Sequence, residues 1–466
     1  MGRTLQIFFI SFIASVIYAN TLQNGFVYDD NSIILNNKPI SNLNNLPKLF
    51  TNEYFAVSKE DSYRPFVTLT YFTDYVIFGL KPWGYHLTNI LLHAFNGILF
   101  YVFACLLLNK GSVGYQRSYH PFFLTLIYVF HPVLTEAVNA ISYREDLLVF
   151  LFYIATVNLY IFLKTESLSD SNLSVLLIYL LSCLTFSLAL LSKEMALTLP
   201  LIICCYEWIY SENRNGGLQS NLLNRYNLGY IAIAFVYGYF RFYYFENPMR
   251  KVFYTPAINE RLLAIPLLIL SYLKLLSAPV SLSTEYVFLN VSSLFSPLFV
   301  VPFFVIAFFL VLAFKIRKKN KGAAFGIYFF IITLIPVYHV IPIANFMAER
   351  HLYLPSAGFI IAIGSVMLPM SPKISNTEMI RQRQLLITFI IMLCIFFFAI
   401  VNRNAVWKDD YSLWSDAVMK MPKSYRARYN LGVCYANQGK FNEAIQQFQI
   451  ALKLSPGDMD AHIELV

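Results

Sequence analysis

The stretch Gly25-Phe26-Val27-Tyr28-Asp29-Asp30 follows a first apolar segment, residues 5–19, after only a few residues. Only 13% of the chain is charged, so two adjacent carboxylates at the edge of a predicted membrane helix need an explanation. An acid just outside a membrane can act as a general base shielded from bulk water. An isolated Asp-Asp is more often a helix cap or a solvated turn. The rest of the chain decides between these two interpretations.

The composition indicates a polytopic membrane protein. The chain has 466 residues, of which 58% are hydrophobic and 17% aromatic, which is far more apolar sequence than a soluble fold of this size needs. The net charge is +9, and the basic residues cluster in short loops. Such clusters set the orientation of a membrane protein. We therefore do not read the positive charge as a sign of a nucleic-acid partner. The six cysteines show neither metal-ligand spacing nor a disulfide framework.

The distribution of basic residues sets the predicted topology. Arg3 holds the N-terminus inside, so the first long loop, residues 20–85, lies outside. Residues 262–278 are apolar enough to span, but a span there would place the basic run 315–321 outside. We therefore predict a re-entrant or interfacial helix within an outer loop, residues 246–293. Eleven spans remain: 5–19, 86–108, 122–134, 147–163, 173–191, 195–210, 226–245, 294–314, 323–338, 354–368 and 385–401. A twelve-span alternative would move the C-terminus inside.

The C-terminal region has the spacing of tetratricopeptide repeats, helix pairs of 34 residues. One repeat is matched at Asn430-Leu431-Gly432, Tyr435, Gly439, Ala444, Phe448, Ala451 and Pro456. Trp414, Ala417 and Pro422 precede the last three of these positions by 34 residues, so residues 409–421 are predicted to form the second helix of a preceding repeat. We predict a membrane domain over 1–404, with Trp407 as an interface anchor, and repeats over 405–466. A single repeat buries its apolar face poorly, so we expect further repeats after residue 466.

The ionisable residues at the outer ends of the spans are the candidates for chemistry. Acids there could activate a hydroxyl, and cations could hold a phosphate. The alternative is that these charges pair with one another to close the bundle. The predicted outer set is Asp29, Asp30, Arg64, Glu136, Arg144, Glu145, Lys193, Glu194, Arg241, Glu349 and Arg350. On the second span, His86, Asn89 and His93 recur on one helical face, which we expect to face the bundle interior.

Several short motifs together resemble a known family. They are Phe26-Val27-Tyr28-Asp29-Asp30, Tyr63-Arg64-Pro65, Gly84-Tyr85-His86-Leu87-Thr88-Asn89-Ile90-Leu91-Leu92-His93, His131-Pro132, Thr135-Glu136-Ala137-Val138, Ser192-Lys193-Glu194, Asn247-Pro248 and Ala348-Glu349-Arg350-His351-Leu352-Tyr353-Leu354-Pro355-Ser356. In this order, with repeats after the last span, they are similar to the transmembrane-and-tetratricopeptide O-mannosyltransferases and their bacterial relatives, of the C-type glycosyltransferase superfamily.

Two positions depart from the family pattern. Leu134 replaces a frequent second His, and Glu145 replaces Ala in Arg-Ala-Asp.

The resemblance implies a mainly α fold: a C-type glycosyltransferase-like bundle of about eleven spans, followed by tetratricopeptide repeats. It also implies a polyprenyl-phosphate sugar donor and a catalytic Asp in the first outer loop, here Asp29 or Asp30. We expect the donor phosphate to contact Lys193, Arg350, Arg144 and Arg241. The other expected cavity residues are Arg64, His86, His93, Glu136, Glu194 and Glu349. No metal-ligand set is visible, so we expect no cofactor and no divalent metal. One Asp base suffices for inversion, and a retaining reaction through a carboxylate nucleophile stays open.

The predicted function is transfer of a sugar, mannose by the resemblance, to a Ser or Thr hydroxyl of a polypeptide on the outer face of the membrane. The repeat groove is expected to bind the acceptor, and membrane lipid to surround the spans. The alternatives are a non-catalytic membrane scaffold that carries repeats, or a transporter of lipid-linked sugars. The sequence favours a bacterial inner membrane with periplasmic repeats. The alternative is the endoplasmic reticulum membrane with luminal repeats.

Overall fold

The structure, a computed structural model, describes residues 2–51, 53–54, 58, 63–108, 119–165, 172–210, 225–244, 257–287, 291, 293–341, 343, 345–367 and 376–456. Within these ranges the chain forms α-helices, short 3₁₀ and π turns, and no strand. The predicted motif at 247–248 and the last predicted repeat residues, 461–466, lie outside the described ranges. The fold class expected from the sequence, a mainly α membrane bundle followed by a helical repeat, is confirmed.

The helices are numbered in chain order. The membrane part contains α1 Arg3–Val16, α2 Pro65–Phe78, α3 Pro82–Leu108, α4 His120–Val129, α5 Thr135–Asn139, α6 Arg144–Thr165, α7 Asn172–Leu190, α8 Leu199–Tyr210, α9 Arg225–Tyr239, α10 Ile258–Ser277, α11 Pro297–Ile316, α12 Lys321–Thr333, α13 Pro355–Met367 and α14 Asn376–Val406. The C-terminal part contains α15 Asp410–Lys420, α16 Tyr425–Asn437 and α17 Phe441–Leu454.

Six of the described helices are long and apolar enough to cross a membrane. They cover Arg3–Gln23, Pro82–Leu108, Ile141–Lys164, Leu173–Leu190, Pro297–Ile316 and Arg383–Val406. The pair His120–Val129 and Pro132–Asn139 is bent by 50° and could make a seventh, while Lys321–Val337 and Pro355–Val366 are shorter apolar helices. Proline, which cannot donate a backbone hydrogen bond, explains the break before Pro132. The chain is therefore an integral membrane protein, and the count of eleven spans stays a prediction.

Asn404, near the end of α14, joins the ends of the first and last spans. Its side-chain amide donates to Ile17 O at 3.1 Å and to Asn20 Oδ1 at 2.8 Å, and its Oδ1 accepts from Asn139 Nδ2 at 2.8 Å. The outer end of α1 and the C-terminal end of α14 therefore lie on the same side of the membrane. An odd number of crossings, as in the eleven-span prediction, is compatible with this contact.

Helix α10, the predicted re-entrant or interfacial helix, is attached along its length to the segment before α13. Near its start, Arg261 donates to His339 O at 2.9 Å, and near its end the Tyr272 hydroxyl accepts from Ala348 N at 3.4 Å. The carbonyl of Leu276 lies 2.9 Å from His131 Nε2. Its last turns are thus fixed beside the break between α4 and α5. Its depth in the bilayer stays a prediction.

The repeat helices pack as the 34-residue spacing predicts. Trp414 of α15 lies in one buried cluster with Ala427 and Leu431 of α16. Gly432 is required where the two helices of the repeat cross, because a Cβ there would lie 2.6 Å from the Phe448 ring of α17. The change from membrane bundle to repeat falls at residues 407–409, between α14 and α15.

Helices α12 and α13 cross at two glycines. A Cβ on Gly358 would lie 2.7 Å from both Gly326 O and Phe330 N, whereas a Cβ on Gly238 of α9 would meet nothing within 4 Å. Small residues let membrane helices approach this closely. We predict that Gly358→Ala lowers the free energy of unfolding by roughly 1–3 kcal/mol. Gly238→Ala should be neutral or slightly stabilising because alanine favours helix. Thermal midpoints in detergent would compare the two, and equal midpoints would contradict the close crossing.

Candidate active site

The two aspartates lie in residues 25–31, which we call the aspartate segment. This segment lies between the membrane bundle and the first repeat helix. Val27 is fully buried in a cluster with Ala140 and Tyr143 on one side and Trp407 and Leu413 on the other. The prediction that Trp407 is an interface anchor is wrong, since 0% of its surface is exposed. Its indole packs against the aspartate segment because α14 ends directly beside that segment.

Asp30 is fully buried and supports the backbone around it. Its Oδ1 accepts the Ser142 N–H at 2.7 Å, and its Oδ2 accepts the Val27 N–H at 3.2 Å. Burial raises the pKa of the Asp30 carboxyl to about 7, although these two N–H donors act in the opposite direction. With both oxygens occupied and no exposure, Asp30 is built to hold the segment against the start of α6.

Asp29 is the more accessible of the two acids. It is partly exposed, and its Oδ2 accepts a hydrogen bond from the Tyr143 hydroxyl at 3.0 Å. Among the described residues, none donates a hydrogen bond to its Oδ1. One carboxylate oxygen is thus held in place while the other stays available to an incoming hydroxyl.

Arg350 lies over the ring of the same tyrosine. The centre of its guanidinium is 3.9 Å from the Tyr143 ring centroid, in a cation–π contact. Its Nη1 pairs with Glu136, whose other oxygen accepts the Arg350 backbone N–H at 3.0 Å. No acceptor for Nε or Nη2 is recorded in the part of the chain that the structure describes. Arg350 and Asp29 are therefore separated by a single aromatic side chain.

Lys193 is held by the two acids that follow Arg144. Its ammonium lies 2.6 Å from Asp146 and 3.1 Å from Glu145. Glu145, the acid that departs from the family pattern, also pairs with Arg64. Asp146 comes three residues after Tyr143, about one helical turn, so Lys193 is linked through Asp146 to the stretch of chain that holds Asp29.

Arg241 completes this charge cluster through Glu194. The Glu194 carboxylate lies 3.1 Å from Arg64 and 3.4 Å from Arg241. Burial by itself would raise the pKa of the Glu194 carboxyl, but the charges of Arg64 and Arg241 hold it below its usual value. Arg241 also donates to Tyr63 O and to the Tyr237 hydroxyl, both at 2.8 Å.

Arg144 occupies a different cluster, between α2, α3 and α6. It is fully buried, pairs with Asp74 at 2.6 Å and donates through Nε to Asn89 Oδ1 at 2.7 Å. Its remaining donors contact Thr70 Oγ1 and Tyr85 O, each at 3.1 Å. Every nitrogen of the guanidinium is thus engaged, which differs from the open arrangement that a phosphate-binding residue needs.

The remaining predicted residues fall into three surroundings. His86 is buried at the start of α3, with Nε2 3.4 Å from Gly25 O, under the aspartate segment. His93 lies about two turns further along the same face of α3. There it is hydrogen-bonded to the Tyr353 hydroxyl at 2.8 Å, inside the bundle and apart from the site. Glu349 accepts the Tyr286 hydroxyl and the Ser283 N–H, both at 2.6 Å, and burial raises its pKa to about 7.

Two residues of this arrangement were not singled out from the sequence. Tyr143 donates a hydrogen bond to Asp29 and packs against Arg350. An aromatic residue before three charged residues matches no pattern that would identify a site in the sequence. Asp410 of α15 accepts the Tyr28 N–H at 2.7 Å. Asp410 gives no signal of its own in the sequence, because it follows Asp409, which is the expected helix cap and accepts the Ser412 N–H.

Comparisons with known proteins agree with the resemblance seen in the motifs. The family described as "Tetratricopeptide repeat" matches residues 425–458. "Protein O-mannosyl-transferase F38B6.6" of Caenorhabditis elegans is 27% identical over 94% of this chain and 61% of its own length. "Protein O-mannosyl-transferase TMTC3" of Mus musculus is 25% identical over 98% of this chain and 52% of its own. The predicted similarity to this group is confirmed, and the chain spans a little over half the length of these curated relatives.

Two further matches are more limited. "Protein O-mannosyl-transferase TMTC2" of Homo sapiens is 35% identical, over 32% of this chain and 18% of its own length. The crystal structure of ArnT from Cupriavidus metallidurans bound to undecaprenyl phosphate aligns over 100% of this chain and 78% of that one, with a TM-score of 0.44 and 15% identity.

The raised pKa of Asp30 predicts a pH-dependent stability. A carboxyl with a pKa of about 7 in the folded protein and 3.8 otherwise stabilises the fold at low pH. That contribution is lost as pH rises from about 4 to 7. We therefore predict that the thermal midpoint of the wild type falls, relative to Asp30→Asn, across this range. Midpoints of both proteins measured in detergent from pH 4 to 8 test this. A wild type that gains on the variant as pH rises would contradict the assignment.

Proposed function

We propose that this protein is a membrane glycosyltransferase that moves a sugar, mannose by its relatives' names, from a polyprenyl phosphate to a Ser or Thr hydroxyl of a polypeptide. One observation carries the proposal. The Asp29 carboxylate is hydrogen-bonded at 3.0 Å to Tyr143, and the guanidinium of Arg350 lies against the same ring. A base and a cation thus share one site beside the end of the first span, as hydroxyl activation and phosphate departure require.

In the proposed reaction Asp29 accepts the proton of the acceptor hydroxyl as its oxygen attacks the anomeric carbon. The bond from that carbon to the phosphate oxygen breaks, and the polyprenyl phosphate leaves with the electron pair. Arg350 neutralises the charge that grows on the phosphate. We propose a single displacement with inversion. This is supported by the neighbouring acids Glu136 and Asp146, which are paired with cations and thus poorly placed to serve as a second nucleophile.

The predicted cations take different proposed roles. Arg350 is the proposed direct phosphate contact, because two of its nitrogens have no recorded acceptor among the described residues. Lys193 and Arg241 are proposed to set the charge of the cavity wall, each already bonded to an acid. Arg144, paired with Asp74, is proposed as a structural residue. Since guanidinium and ammonium groups supply the positive charge, we also propose that transfer needs no divalent metal, so that activity should survive EDTA.

The repeats are proposed to act on the acceptor polypeptide. They are fastened to the loop after α10, where Arg426 pairs with Glu285 at 3.1 Å and Lys420 donates to Leu282 O at 2.6 Å. A repeat groove held there is close to the outer mouth of the site, and such grooves bind extended peptides. Contacts between the groove and parts of the acceptor far from the reacting hydroxyl would then raise the rate of transfer to protein acceptors.

The proposed compartment follows from the predicted topology, which puts the site outside the cytoplasm. A bacterial inner membrane with periplasmic repeats remains our prediction, and the endoplasmic reticulum with luminal repeats is the alternative. Both place the site on the non-cytoplasmic face. A scaffold would have no need of the partly exposed Asp29, and a transporter would favour charges at the bilayer midplane over a site at the span ends.

Removing the proposed base should abolish transfer while leaving the fold intact. We predict that Asp29→Asn lowers kcat for transfer of radiolabelled mannose to a peptide by roughly 100-fold or more. The matched control is Asp409→Asn, which alters an exposed acid that caps α15 and, among the described residues, is hydrogen-bonded to Ser412. Asp29→Asn with wild-type turnover would exclude the proposed base and favour the scaffold or transporter alternatives.

Removing the repeat should separate acceptor choice from chemistry. We predict that deletion of the residues after Met421 reduces transfer to a protein acceptor, whereas donor hydrolysis or transfer to a small alcohol persists, because Asp410 and its contacts with Tyr28 and Asn31 remain. Both activities can be followed with the same labelled donor in membranes. Unchanged protein glycosylation would contradict the acceptor role, and loss of both activities would indicate that the repeat is structural.

A further inference from the structure

Asp410, the first residue of α15, binds the aspartate segment with both of its carboxylate oxygens. Oδ1 accepts the Tyr28 backbone N–H at 2.7 Å, and Oδ2 accepts the Asn31 side-chain amide at 3.0 Å. The two donors lie on either side of Asp29. A single carboxylate from the C-terminal part of the chain thus holds the residues that flank the proposed base.

The backbone between these contacts is strained. Tyr28 has φ of +57°, in the left-handed region that residues other than glycine seldom adopt. Such a conformation is unfavourable for residues other than glycine and persists only where surrounding contacts impose it. Since φ and ψ of Tyr28 set the direction of the following residue, whatever holds Tyr28 also aims the Asp29 side chain.

Two other contacts from the same stretch support the segment. The Gly25 N–H donates to Lys408 O at 3.0 Å, and the Trp414 ring meets the Tyr28 ring edge to face at 5.0 Å. An acid in a first helical turn often stabilises only the N-terminus of its own helix. In α15 that N-terminus is capped by Asp409, whose side chain accepts the Ser412 N–H at 2.8 Å. Asp410 instead directs both oxygens to another part of the chain.

We propose that Asp410 is a positioning residue of the transfer reaction, which fixes the strained Tyr28 backbone and thereby aims Asp29 at the acceptor hydroxyl. The inference rests on the proposed function. It assigns to the first repeat helix a part in the geometry of the site, separate from any binding of acceptor by the repeat groove.

The test uses the full chain with a polyprenyl-phosphate mannose as donor and a short Ser/Thr peptide as acceptor. Asp410→Ala should lower kcat roughly 10- to 100-fold, as expected for a small misplacement of a reacting group, and leave KM for the donor within about threefold. Asp410→Ser should do the same, since serine suits a helix start but is too short to reach both donors. Asp410→Asn should restore kcat to within about threefold, because its amide oxygen still accepts the Tyr28 N–H.

Asp409→Ala is the matched control, since it removes a cap from the same helix without touching the aspartate segment. It should leave kcat within about threefold of the wild type. Equal losses in Asp409→Ala and Asp410→Ala, or a raised KM with unchanged kcat, would overturn the proposal and indicate general fraying of α15.

Hydrogen–deuterium exchange gives a readout that does not depend on activity. Peptides covering residues 25–31 should exchange faster in Asp410→Ala and Asp410→Ser than in Asp409→Ala. Equal exchange in all three would overturn the proposal. If Asp29→Asn retained wild-type turnover, the proposed function would fail, yet the exchange data would still show whether Asp410 holds the segment.

Discussion

Pairing of buried charges is the constraint on which the site depends. A charge at a membrane face is costly without a partner, and at the outer span ends Arg64, Lys193 and Arg241 lie against Glu145, Asp146 and Glu194. These partners come from four stretches that are far apart in the chain. Their pairing therefore draws the ends of several helices together and forms the wall beside which Asp29 and Arg350 face Tyr143.

Two neighbouring acids have acquired different properties from their surroundings. Asp30 is enclosed and accepts two backbone N–H groups, while Asp29 keeps one oxygen without a recorded donor from the described residues. Two chemically identical side chains, one residue apart, thus differ: Asp30 supports the backbone, and Asp29 is the proposed base. Environments that differentiate paired carboxylates in this way are typical of sites that move protons.

Much of this arrangement could be predicted from the sequence because two patterns are local. The basic loops predict that the acids and cations share one side of the membrane, and the 34-residue spacing predicts a helix over 409–421, which corresponds to α15. The pairing itself could not be predicted, because it depends on contacts across the chain. Arg144 was expected to contact the donor phosphate, and its pairing with Asp74, 70 positions earlier in the chain, has no local signal in the sequence. Trp407 looked like an interface anchor because sequence alone does not show that α14 ends against Val27.

The contact between Tyr28 and α15 has a consequence for biogenesis. The Tyr28 N–H and its acceptor Asp410 are 382 residues apart in the chain. Domains generally fold from the N-terminus as they are synthesised. The first loop is therefore synthesised long before its partner has been translated. Until α15 has formed, Tyr28 and Asn31 lack the acceptor oxygens of Asp410, so the proposed site stays incomplete for most of the synthesis of the chain.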